Sequence, residues 1–541
     1  MVKKDTIQVS KENNVDVYKN DVKYYPETGQ VEMTAKFPDQ PLLWNEDFHP
    51  TPVNLRNWGA GTFAALWFGM AFIVASWSLV SLGLVLGLNI TLTLILDFVG
   101  SVIVLIPMIL QAHGGARYGL AETQLTRSRW GTFGAWLPSW IRAIISMGWW
   151  GIETYILAEA ASGIYIVMSG NYSVIDKLVA SGSYGPATIA AAYPTIFWSI
   201  FVIAIIAQIV LFYYSPPTKA QPALKWFARI AAPLIAIAFI LIWVPFMSQA
   251  KFNFTPIFSI PTSVSGTQLW ISAIVFTNAV VAFWATMAMS MPDYTRFSKS
   301  QKAQIYGQIP MPFYMLIVGF LGATATGAAM ALYHTQIWDP ILLTVVHVPA
   351  IYTVPALILI LISTFAVNTF ANTVAPGYDI ANSLPKRLSW FRGVVIGIII
   401  SLIIGAYSFY GSAYSYLYTW LLTYGGLLGV VEGVLVLDYV VIRRMWFNPR
   451  DVFRMHGDYT YWKGINPAAI IAFIIGTVLI YVPSPIQPYL FDGSWISGFI
   501  IAGVIDILLM RFWIIPKYQP FLKGGLLMGY VDEHVTAFKG N

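Results

Sequence analysis

Long apolar runs recur along the chain from about Trp58 onward, and each approaches the ~20 residues that a helix needs to cross a lipid bilayer. Because the runs are continuous rather than alternating, they predict membrane-spanning helices and exclude a barrel of strands. We therefore expect an all-α polytopic membrane protein with about twelve spans, at residues 60–86, 89–112, 137–168, 190–213, 226–247, 268–291, 306–333, 351–376, 391–411, 414–441, 467–484 and 494–515.

The composition agrees with a membrane protein and excludes several other classes. Hydrophobic residues make up 57% of the 541 residues and charged residues only 10%, whereas soluble domains carry roughly 25% charged residues. So few charges cannot cover a surface that faces water, which argues against a soluble enzyme. The chain has no cysteine, so disulfides and cysteine-ligated metals are excluded. The histidines show no metal-binding spacing, and we expect no enzymatic activity, no cofactor and no nucleic-acid partner.

Lysine and arginine are distributed unevenly among the predicted loops. If the amino terminus is cytoplasmic, the outward loops contain only Lys177 and Lys251. Basic loops stay in the cytoplasm, so we predict a plasma-membrane protein with both termini inside. The cytoplasmic loops then hold these basic residues: Arg117, Arg127, Arg129, Lys219, Arg296, Lys299, Lys302, Lys386, Arg387, Arg443, Arg444, Arg450, Arg454 and Lys463.

Interruptions in two spans suggest how the chain is organised. Gly69 lies inside the first span, and the eighth span contains two asparagines and Pro376. Broken helices in matching positions of two halves point to a transporter site near the midplane of the membrane. We therefore predict a cytoplasmic segment, two five-span repeats, a loop with two further spans, and a cytoplasmic tail, at 1–57, 58–247, 248–445, 446–515 and 516–541.

Glu153 stands out among the ionisable residues inside the predicted spans. Trp149 lies four residues earlier, so both side chains share one face of a helix. An aromatic ring above a carboxylate can stack on a planar ligand and bind its N–H groups. Asn368 and Asn372 are also four residues apart, and a carboxamide offers both a donor and an acceptor to a heterocyclic amide. Trp284, well inside the sixth span, is the third candidate element.

The other ionisable residues inside the spans have structural as well as functional interpretations. A charge within the bilayer is costly and is therefore a candidate functional group, but it can also pair with a neighbouring helix. Glu432, in the tenth span, is open to both interpretations, and a structural role is favoured for Glu159. Asp97 and Asp506 either pair with a neighbouring helix or face water.

Several ordered motifs resemble those of the nucleobase:cation symporter-1 family, which includes bacterial hydantoin, allantoin and cytosine transporters and fungal purine and uracil permeases. The resemblance extends from about Asn45 to the last span, and the order and spacing of the motifs make a chance likeness improbable. The motifs are Leu66-Trp67-Phe68-Gly69-Met70-Ala71, Trp149-Trp150-Gly151-Ile152-Glu153-Thr154, Trp284, Pro292-Asp293, Asn368-Thr369-Phe370-Ala371-Asn372, Asp438-Tyr439 and the run from Tyr459 to Asn466.

The resemblance implies a LeuT-type fold of two inverted five-span repeats followed by two further helices. It also implies that a planar substrate is sandwiched between Trp149 and Trp284, with polar anchoring at Glu153 and Asn372 and with Asn368 nearby. Stacking supplies contact area and orientation, and a few placed polar groups supply specificity. Each buried polar group that a wrong ligand leaves unpaired costs about 1–3 kcal/mol.

The residue at position 153 departs from the family pattern, which usually has an amide there. An ionised Glu153 only accepts hydrogen bonds and attracts cations, whereas a protonated one also donates. This favours a ligand with an exocyclic amine, such as an aminopyrimidine, or a positively charged ring such as thiamine. It weakens the case for hydantoin or allantoin.

The cation site of sodium-coupled members is only partly present. Its backbone ligands correspond to Gly69, Phe72 and Ser363, but its two hydroxyl positions correspond to Ala366 and Val367. Because a hard cation needs oxygen ligands, the usual sodium site is depleted.

We therefore expect proton coupling. Glu153 is the first candidate carrier and Glu432 the second, since the family usually has an uncharged residue at the latter position.

Together these features predict a secondary active transporter that imports a planar nitrogen heterocycle by symport with a proton. A sodium-coupled transporter of allantoin, hydantoin or thiamine-type compounds is the alternative. A channel and a sensor that binds ligand without transport are alternatives from other classes.

Overall fold

Helices dominate the part of the chain that the computed structural model describes, which comprises residues 8–10, 15–18, 22–44, 48–214, 221–446 and 448–519. The predicted tail therefore lies outside the described residues from position 520 onward. In the first half, helices α1 to α9 are Ala60–Ala71, Val74–Val85, Ile90–Tyr118, Glu122–Trp130, Trp136–Ser169, Ser173–Ala180, Ala187–Ala192, Pro194–Tyr214 and Gln221–Gln249.

The second half continues in the same way, with π-helical turns interrupting or ending some helices. Helices α10 to α22 are Thr255–Phe258, Gly266–Thr295, Gln301–Gln308, Met311–Tyr333, Pro340–His347, Ala350–Ala371, Val374–Ser383, Trp390–Ile404, Thr423–Leu437, Pro467–Tyr481, Gln487–Asp492, Ser494–Leu509 and Ile515–Tyr518. The π-helical segments are Ser415–Leu422, Asp438–Ile442 and Met510–Ile514, and the 3-10 turns are Val53–Leu55, Ala406–Gly411 and Asp451–Phe453.

Each of the twelve predicted spans coincides with helix. Within the described residues, seven helical stretches are long and apolar enough to cross a membrane, and the bent pair α1 and α2 makes an eighth. Shorter apolar helices occur at Pro233–Gln249, Trp390–Ile404 and Pro467–Tyr481. Helix α5 covers the remaining predicted span; it has 34 residues and carries Arg142, Glu153 and Glu159.

Capping residues explain where the long helix α3 begins and ends. The side chain of Asn89 accepts a hydrogen bond from the Leu92 amide at 2.8 Å, which satisfies a free N–H in the first turn. The helix ends at Gly119, whose φ of 67° is left-handed and is readily adopted by glycine. The 29 residues between these caps exceed the length needed to cross a bilayer.

The first span is broken between α1 and α2, which meet at an angle of 59°. Ile73 is extended (φ −131°, ψ 158°). Its N–H donates to the Ala71 carbonyl rather than to the Gly69 carbonyl four residues earlier. An α-helical ladder is therefore interrupted where the sequence predicts a break. The eighth span is interrupted as well, between α15 and α16 at Asn372–Thr373.

Two groups of helices pack on either side of the site. In the first group, α1, α2, α3, α11 and α13 contact one another; in the second, α8, α15, α16 and α17 pack around α5. Helix α18 contacts both α5 and α11, and α21 packs along α18. The residue bounds predicted for the two five-span repeats stay a prediction.

The amino-terminal segment contains a small sheet that the sequence does not predict. Strands β1 to β4, at Gln8–Ser10, Val15–Tyr18, Val22–Tyr25 and Gln30–Met33, form an antiparallel sheet in sequential order. Its last strand is tied to the helices, because Gln30 Nε2 donates to the Ser298 carbonyl at 2.9 Å and Arg56 Nη2 donates to the Val31 carbonyl at 2.9 Å. The sheet therefore marks one end of the helical body.

Candidate functional site

A cavity lies at the interruption of the first span, between the two helix groups. It contains about 520 Å³ of space outside atoms, part of which is continuous with open solvent. Helices α1, α5, α11 and α15 with their breaks supply the lining, which comprises Met70, Ile73, Ser146, Trp149, Glu153, Phe283, Trp284, Thr286, Met287, Ser290, Val367, Ala371 and Asn372.

The structure brings four of the five predicted substrate-binding residues to this one cavity. Trp149 and Glu153 come from α5, Trp284 from α11 and Asn372 from the end of α15. Asn368 lies one turn before Asn372 and is fully buried outside the lining. The arrangement thus combines two indoles, a carboxyl and a carboxamide.

The indole of Trp149 is fixed from behind by aromatic rings of the tenth span. Its Nε1 donates to the Tyr424 hydroxyl at 3.2 Å, and that hydroxyl donates to the Ala282 carbonyl at 2.9 Å. Trp420 meets the indole edge-to-face at 6.0 Å. Gly148 makes this contact possible, because a Cβ there would overlap the Trp420 ring. The face of Trp149 is therefore held in place before a ligand binds.

Trp284 is held by rings of its own helix group. Trp67 packs edge-to-face against it at 5.3 Å and 75°. Phe283 lies edge-on to both indoles, at 5.1 Å from Trp284 and 5.0 Å from Trp149. Two rigid aromatic walls suit a flat ligand, since an aromatic ligand gains contact area and stacking energy without ordering flexible side chains.

Glu153 is the ionisable residue of the lining. It is 1% exposed, and its Oε2 atom has no hydrogen-bond partner among the described residues. The remaining lining residues are apolar or neutral, so the cavity offers this carboxyl no counter-charge. A buried carboxylate that is left unpaired is costly. The site therefore favours a ligand that donates hydrogen bonds or carries positive charge, or a proton.

Asn372 is oriented by the asparagine one turn earlier. Its Nδ2 donates to Asn368 Oδ1 at 3.0 Å. The Nδ2 group of Asn368 contacts the Trp150 carbonyl, Thr154 Oγ1 and Gln208 Oε1 at 3.0–3.1 Å. This network joins α15 to α5 and α8, and it leaves the carboxamide oxygen of Asn372 for a ligand.

The predicted cation ligands lie near the two helix breaks. Gly69 and Phe72 flank the interruption of the first span, where the backbone leaves its α-helical pattern. Ser363 is buried in α15, and its hydroxyl donates to the Leu359 carbonyl at 2.7 Å. Val367, at one of the depleted hydroxyl positions, lines the cavity with an apolar side chain. Among the described residues no cluster of His, Cys, Asp or Glu could hold a metal ion.

Glu432 lies on α18 and is not part of the lining. Its side chain is fully buried, and the indole of Trp495 on α21 is its polar neighbour. The adjacent Gly433 packs against the backbone of Phe499 on α21, so this region of α18 faces the packing between two helices.

Several lining residues were not singled out from the sequence. Ser146 precedes Trp149 by three residues on α5, and Met287 and Ser290 follow Phe283 at four and seven residues on α11. These are helical-face spacings. Extending the face of Trp149 by one turn would have identified Ser146, and extending the face of Phe283 by one and two turns would have identified Met287 and Ser290.

Several known proteins are similar in sequence to this chain. A family model for permeases of cytosine/purines, uracil, thiamine and allantoin matches residues 50–506. The chain is 30% identical to an allantoin permease of Bacillus subtilis, over 87% of this chain and 93% of that protein. It is 28% identical to a purine-uracil permease of Arabidopsis thaliana, over 88% of this chain and 78% of that protein.

Solved structures show the same fold. Mhp1, a nucleobase-cation-symport-1 family transporter, in a closed conformation with bromovinylhydantoin bound, is 22% identical and superposes with a TM-score of 0.67, covering 92% of this chain and 99% of that chain. Its inward-facing conformation gives a TM-score of 0.69 at 21% identity, covering 91% and 97%. The predicted fold class is confirmed.

Proposed function

Because the chain belongs to the family of permeases for cytosine/purines, uracil, thiamine and allantoin, we propose that it imports a planar nitrogen heterocycle by symport with a cation. The protein is a multi-pass membrane permease. We place it in the plasma membrane with both termini in the cytoplasm, as the distribution of basic loops favours.

One observation carries the proposal: Trp149 and Trp284 line the same cavity as Glu153 and Asn372. The indoles would stack on the two faces of a flat ring, and the carboxyl and carboxamide would bind its polar edge. This division of labour is typical of small-molecule sites, in which apolar contact supplies affinity and a few polar groups supply orientation.

The unpaired Glu153 carboxyl defines the preferred ligand. A ring with an exocyclic amine or a positive charge would satisfy it directly, so we propose a nucleobase, an aminopyrimidine or a related compound as the substrate. A ligand that presents only acceptors to Glu153 would require a protonated carboxyl.

Proton coupling is the proposed energy source. The apolar side chain of Val367 and the methyl of Ala366 replace the hydroxyls that a sodium site would use, whereas Glu153 offers a buried carboxyl that can load and release a proton. Glu432 is the second candidate. Substrate binding and protonation at Glu153 would then be linked through one carboxyl.

Transport would proceed by alternating access. The helices around α1, α2, α3, α11 and α13 would move relative to those around α5, α8, α15 and α17, and each group supplies one of the two indoles. No covalent chemistry is required.

The substrate is tested with purified protein and a panel of nucleobases, aminopyrimidines, allantoin, hydantoins and thiamine, using thermal shift and competition binding. We expect Trp149→Ala and Trp284→Ala each to weaken binding by about tenfold or more, because stacking contributes on the order of 1 kcal/mol or more beyond area burial. Trp270→Ala is the control, since Trp270 lies on the same helix as Trp284 but is 72% exposed. Unchanged affinity in both cavity variants would refute the stacking site.

Coupling is tested in liposomes that carry either a proton gradient or a sodium gradient. Uptake should follow the proton gradient and collapse with a protonophore. Glu153→Gln should change the substrate preference and abolish proton-driven accumulation. Asp97→Asn is the matched control, because Asp97 is an equally buried carboxyl on α3 that lies outside the cavity. Accumulation that persists in Glu153→Gln would transfer the coupling role to Glu432.

Sodium-coupled import of allantoin is the second candidate. The 30% identity to an allantoin permease over nearly its full length favours allantoin as the substrate of this candidate. Uptake of allantoin that requires sodium and ignores the protonophore would establish it.

A further inference from the structure

Two carboxyl groups meet outside the substrate cavity, at the far end of the helices from the amino-terminal sheet. Glu159 lies on α5, six residues or about 9 Å beyond Glu153 along the helix axis. Asp339 precedes the short helix α14, between α13 and α15. Both side chains are 0% exposed, and α14 packs against α5 here, with Ile341 lying next to Gly163 one turn beyond Glu159. The two carboxyls are direct neighbours. The pair therefore joins α14 to α5.

Asp339 is surrounded by donors. It is the N-cap of α14, and its Oδ2 accepts a hydrogen bond from the Leu342 amide at 2.7 Å. Its Oδ1 accepts one from the Tyr410 hydroxyl at 3.3 Å. A helix N-terminus stabilises negative charge, as do donors aimed at a carboxylate. Asp339 is thus the member of the pair that is built to be ionised.

Glu159, in contrast to Asp339, is not surrounded by hydrogen-bond donors. Among the described residues, neither of its carboxyl oxygens receives a hydrogen bond from any donor, although the side chain is fully buried. The titratable groups that face the pair are Tyr155 from α5 and Tyr410 from the 3-10 turn Ala406–Gly411. The helices α2, α9 and α15 beside α14 present no charged or titratable side chain to the pair within the described chain.

Two adjacent carboxylates without a counter-charge would repel each other strongly in a buried site. A single proton removes the repulsion between the two carboxylates and also supplies the hydrogen-bond donor that Glu159 lacks. It neutralises Glu159 and turns that carboxyl into the donor that the remaining lone pairs of Asp339 can accept.

We propose that Glu159 and Asp339 form a proton-binding site separate from the substrate cavity, in which a proton carried by Glu159 is donated to ionised Asp339 and fastens α14 onto α5. Loss of this proton leaves two buried negative charges and releases α14. The proposal goes beyond the transport function and depends neither on the substrate nor on the role of Glu153.

A tyrosine connects this site to the broken first span. The Tyr410 hydroxyl that contacts Asp339 also forms a hydrogen bond of 2.7 Å with the Ser78 hydroxyl, and Ser78 lies on α2. If Tyr410 donates to Asp339, its oxygen accepts from Ser78. Loss of the proton from the pair would therefore alter the hydrogen bonds that end on α2, which is the half of the first span at the same end of the molecule.

Infrared difference spectroscopy tests the proton directly. We expect wild type minus Glu159→Gln to show the carbonyl band of a protonated carboxyl, shifted in D2O and lost as the pH rises. In Asp339→Asn the negative neighbour is gone, so Glu159 should lose its proton at a lower pH than in the wild type. Ser162→Ala, on the next turn of α5, is the control and should leave the band unchanged. Absence of the band at every pH, or an unmoved midpoint in Asp339→Asn, would overturn the proposal.

Thiol labelling gives a second readout that leaves the pair intact. The natural chain has no cysteine, and Leu342 on α14 is 0% exposed. In Leu342→Cys, labelling should accelerate several-fold as the pH rises from about 5 to about 9, beyond the intrinsic increase from thiol ionisation measured on a small thiol. With Glu159→Gln added, that excess should vanish. Labelling that follows the sodium concentration rather than the pH would mean a bound cation in place of the proton and would also overturn the proposal.

Discussion

Arg142 and Asp379 form a bidentate ion pair, with Nε to Oδ2 at 2.6 Å and Nη2 to Oδ1 at 2.5 Å. The same guanidinium reaches Asp293 Oδ2 through Nη1 at 2.9 Å. Arg142 lies on α5 and Asp379 on α16, whereas Asp293 lies on α11 in the other helix group. One arginine therefore joins the two groups on the side of the cavity that faces the amino-terminal sheet.

Removal of the Asp379 carboxylate and removal of the Asp293 carboxylate should have different effects on stability and on access to the cavity. Asp379→Asn leaves a buried guanidinium without its bidentate partner and should lower the unfolding free energy by about 3–5 kcal/mol. Asp293→Asn removes the charged part of the link between the helix groups and leaves the contact of Arg142 Nη1 with the Met289 carbonyl at 3.3 Å, so it should cost less stability and increase access to the cavity from this side.

Thermal unfolding in detergent and thiol labelling of a cavity cysteine measure the two effects. Arg454→Ala is the control, because Arg454 is 51% exposed and pairs with Asp451 at 3.5 Å near the surface. Equal destabilisation by Asp293→Asn and Asp379→Asn, with no change in labelling, would contradict a linking role for Asp293.

Asn368 should act on the ligand through Asn372. Asn368→Ala removes the acceptor of Asn372 Nδ2 and three contacts to α5 and α8. A misplaced carboxamide and unpaired buried groups cost about 1–3 kcal/mol, so the ligand affinity should fall roughly tenfold or more.

Equilibrium binding measures the effect, with Thr364→Val as the control on the same helix. The Thr364 hydroxyl is buried without a partner among the described residues, so its loss should leave the affinity unchanged. An Asn368→Ala protein that binds as tightly as wild type would exclude a positioning role.

Hydrophobic periodicity and side-chain chemistry were enough to predict the spans and most of the candidate site residues. The apolar runs placed the spans because each must satisfy its backbone within the bilayer, and i to i+4 spacing placed Glu153 beneath Trp149. The same spacing could not separate Asn372, which lines the cavity, from Asn368, which supports it from behind. That distinction depends on Gln208 from α8, which is distant in sequence.

Other features depend on contacts that no local pattern reveals. Gly429 and Gly433 of the tenth span lie against the backbone of α21 and permit close packing of the two helices. In the sequence Asp339 looks like an ordinary loop residue, and only the folded chain places its side chain next to Glu159. The amino-terminal sheet was hidden because its strands have only three or four residues each and its last strand is stabilised by docking onto the rest of the chain.

Asp458 should make stability depend on pH. It lies in the loop before α19, outside the membrane spans, where burial and the neighbouring Asp451 carboxylate raise its pKa to about 7. Since the folded pKa lies above the unfolded value of ~3.9, the folded state binds the proton more tightly. The stabilisation is complete below pH ~4 and is lost as the pH rises through about 7.

Asp458→Asn mimics the protonated form and should keep that stabilisation at every pH. The unfolding temperature of the variant should therefore exceed that of wild type at pH ~8, and the gap should shrink as the pH approaches ~4. Asp176→Asn, an exposed position on α6, is the control. A constant difference across the pH range would contradict the assignment.

Gly148 should limit how closely Trp420 supports the binding surface of Trp149. Alanine normally stabilises a helix by about 1 kcal/mol relative to glycine, but at position 148 its Cβ would overlap the Trp420 ring. Trp420 or α5 must then shift, which tilts Trp149. We expect Gly148→Ala to weaken ligand binding several-fold without any gain in stability.

Gly61→Ala is the control that separates the effect of alanine on helix stability from the effect of its Cβ on side-chain packing. Gly61 lies in α1, and a Cβ there would meet no atom within 4 Å. This variant should be as stable as wild type or slightly more stable, and it should bind ligand normally in calorimetry. If Gly148→Ala behaves in the same way, the contact between Trp420 and Trp149 does not position the indole, and its orientation must come from its other contacts, the Tyr424 hydrogen bond and the Phe283 ring.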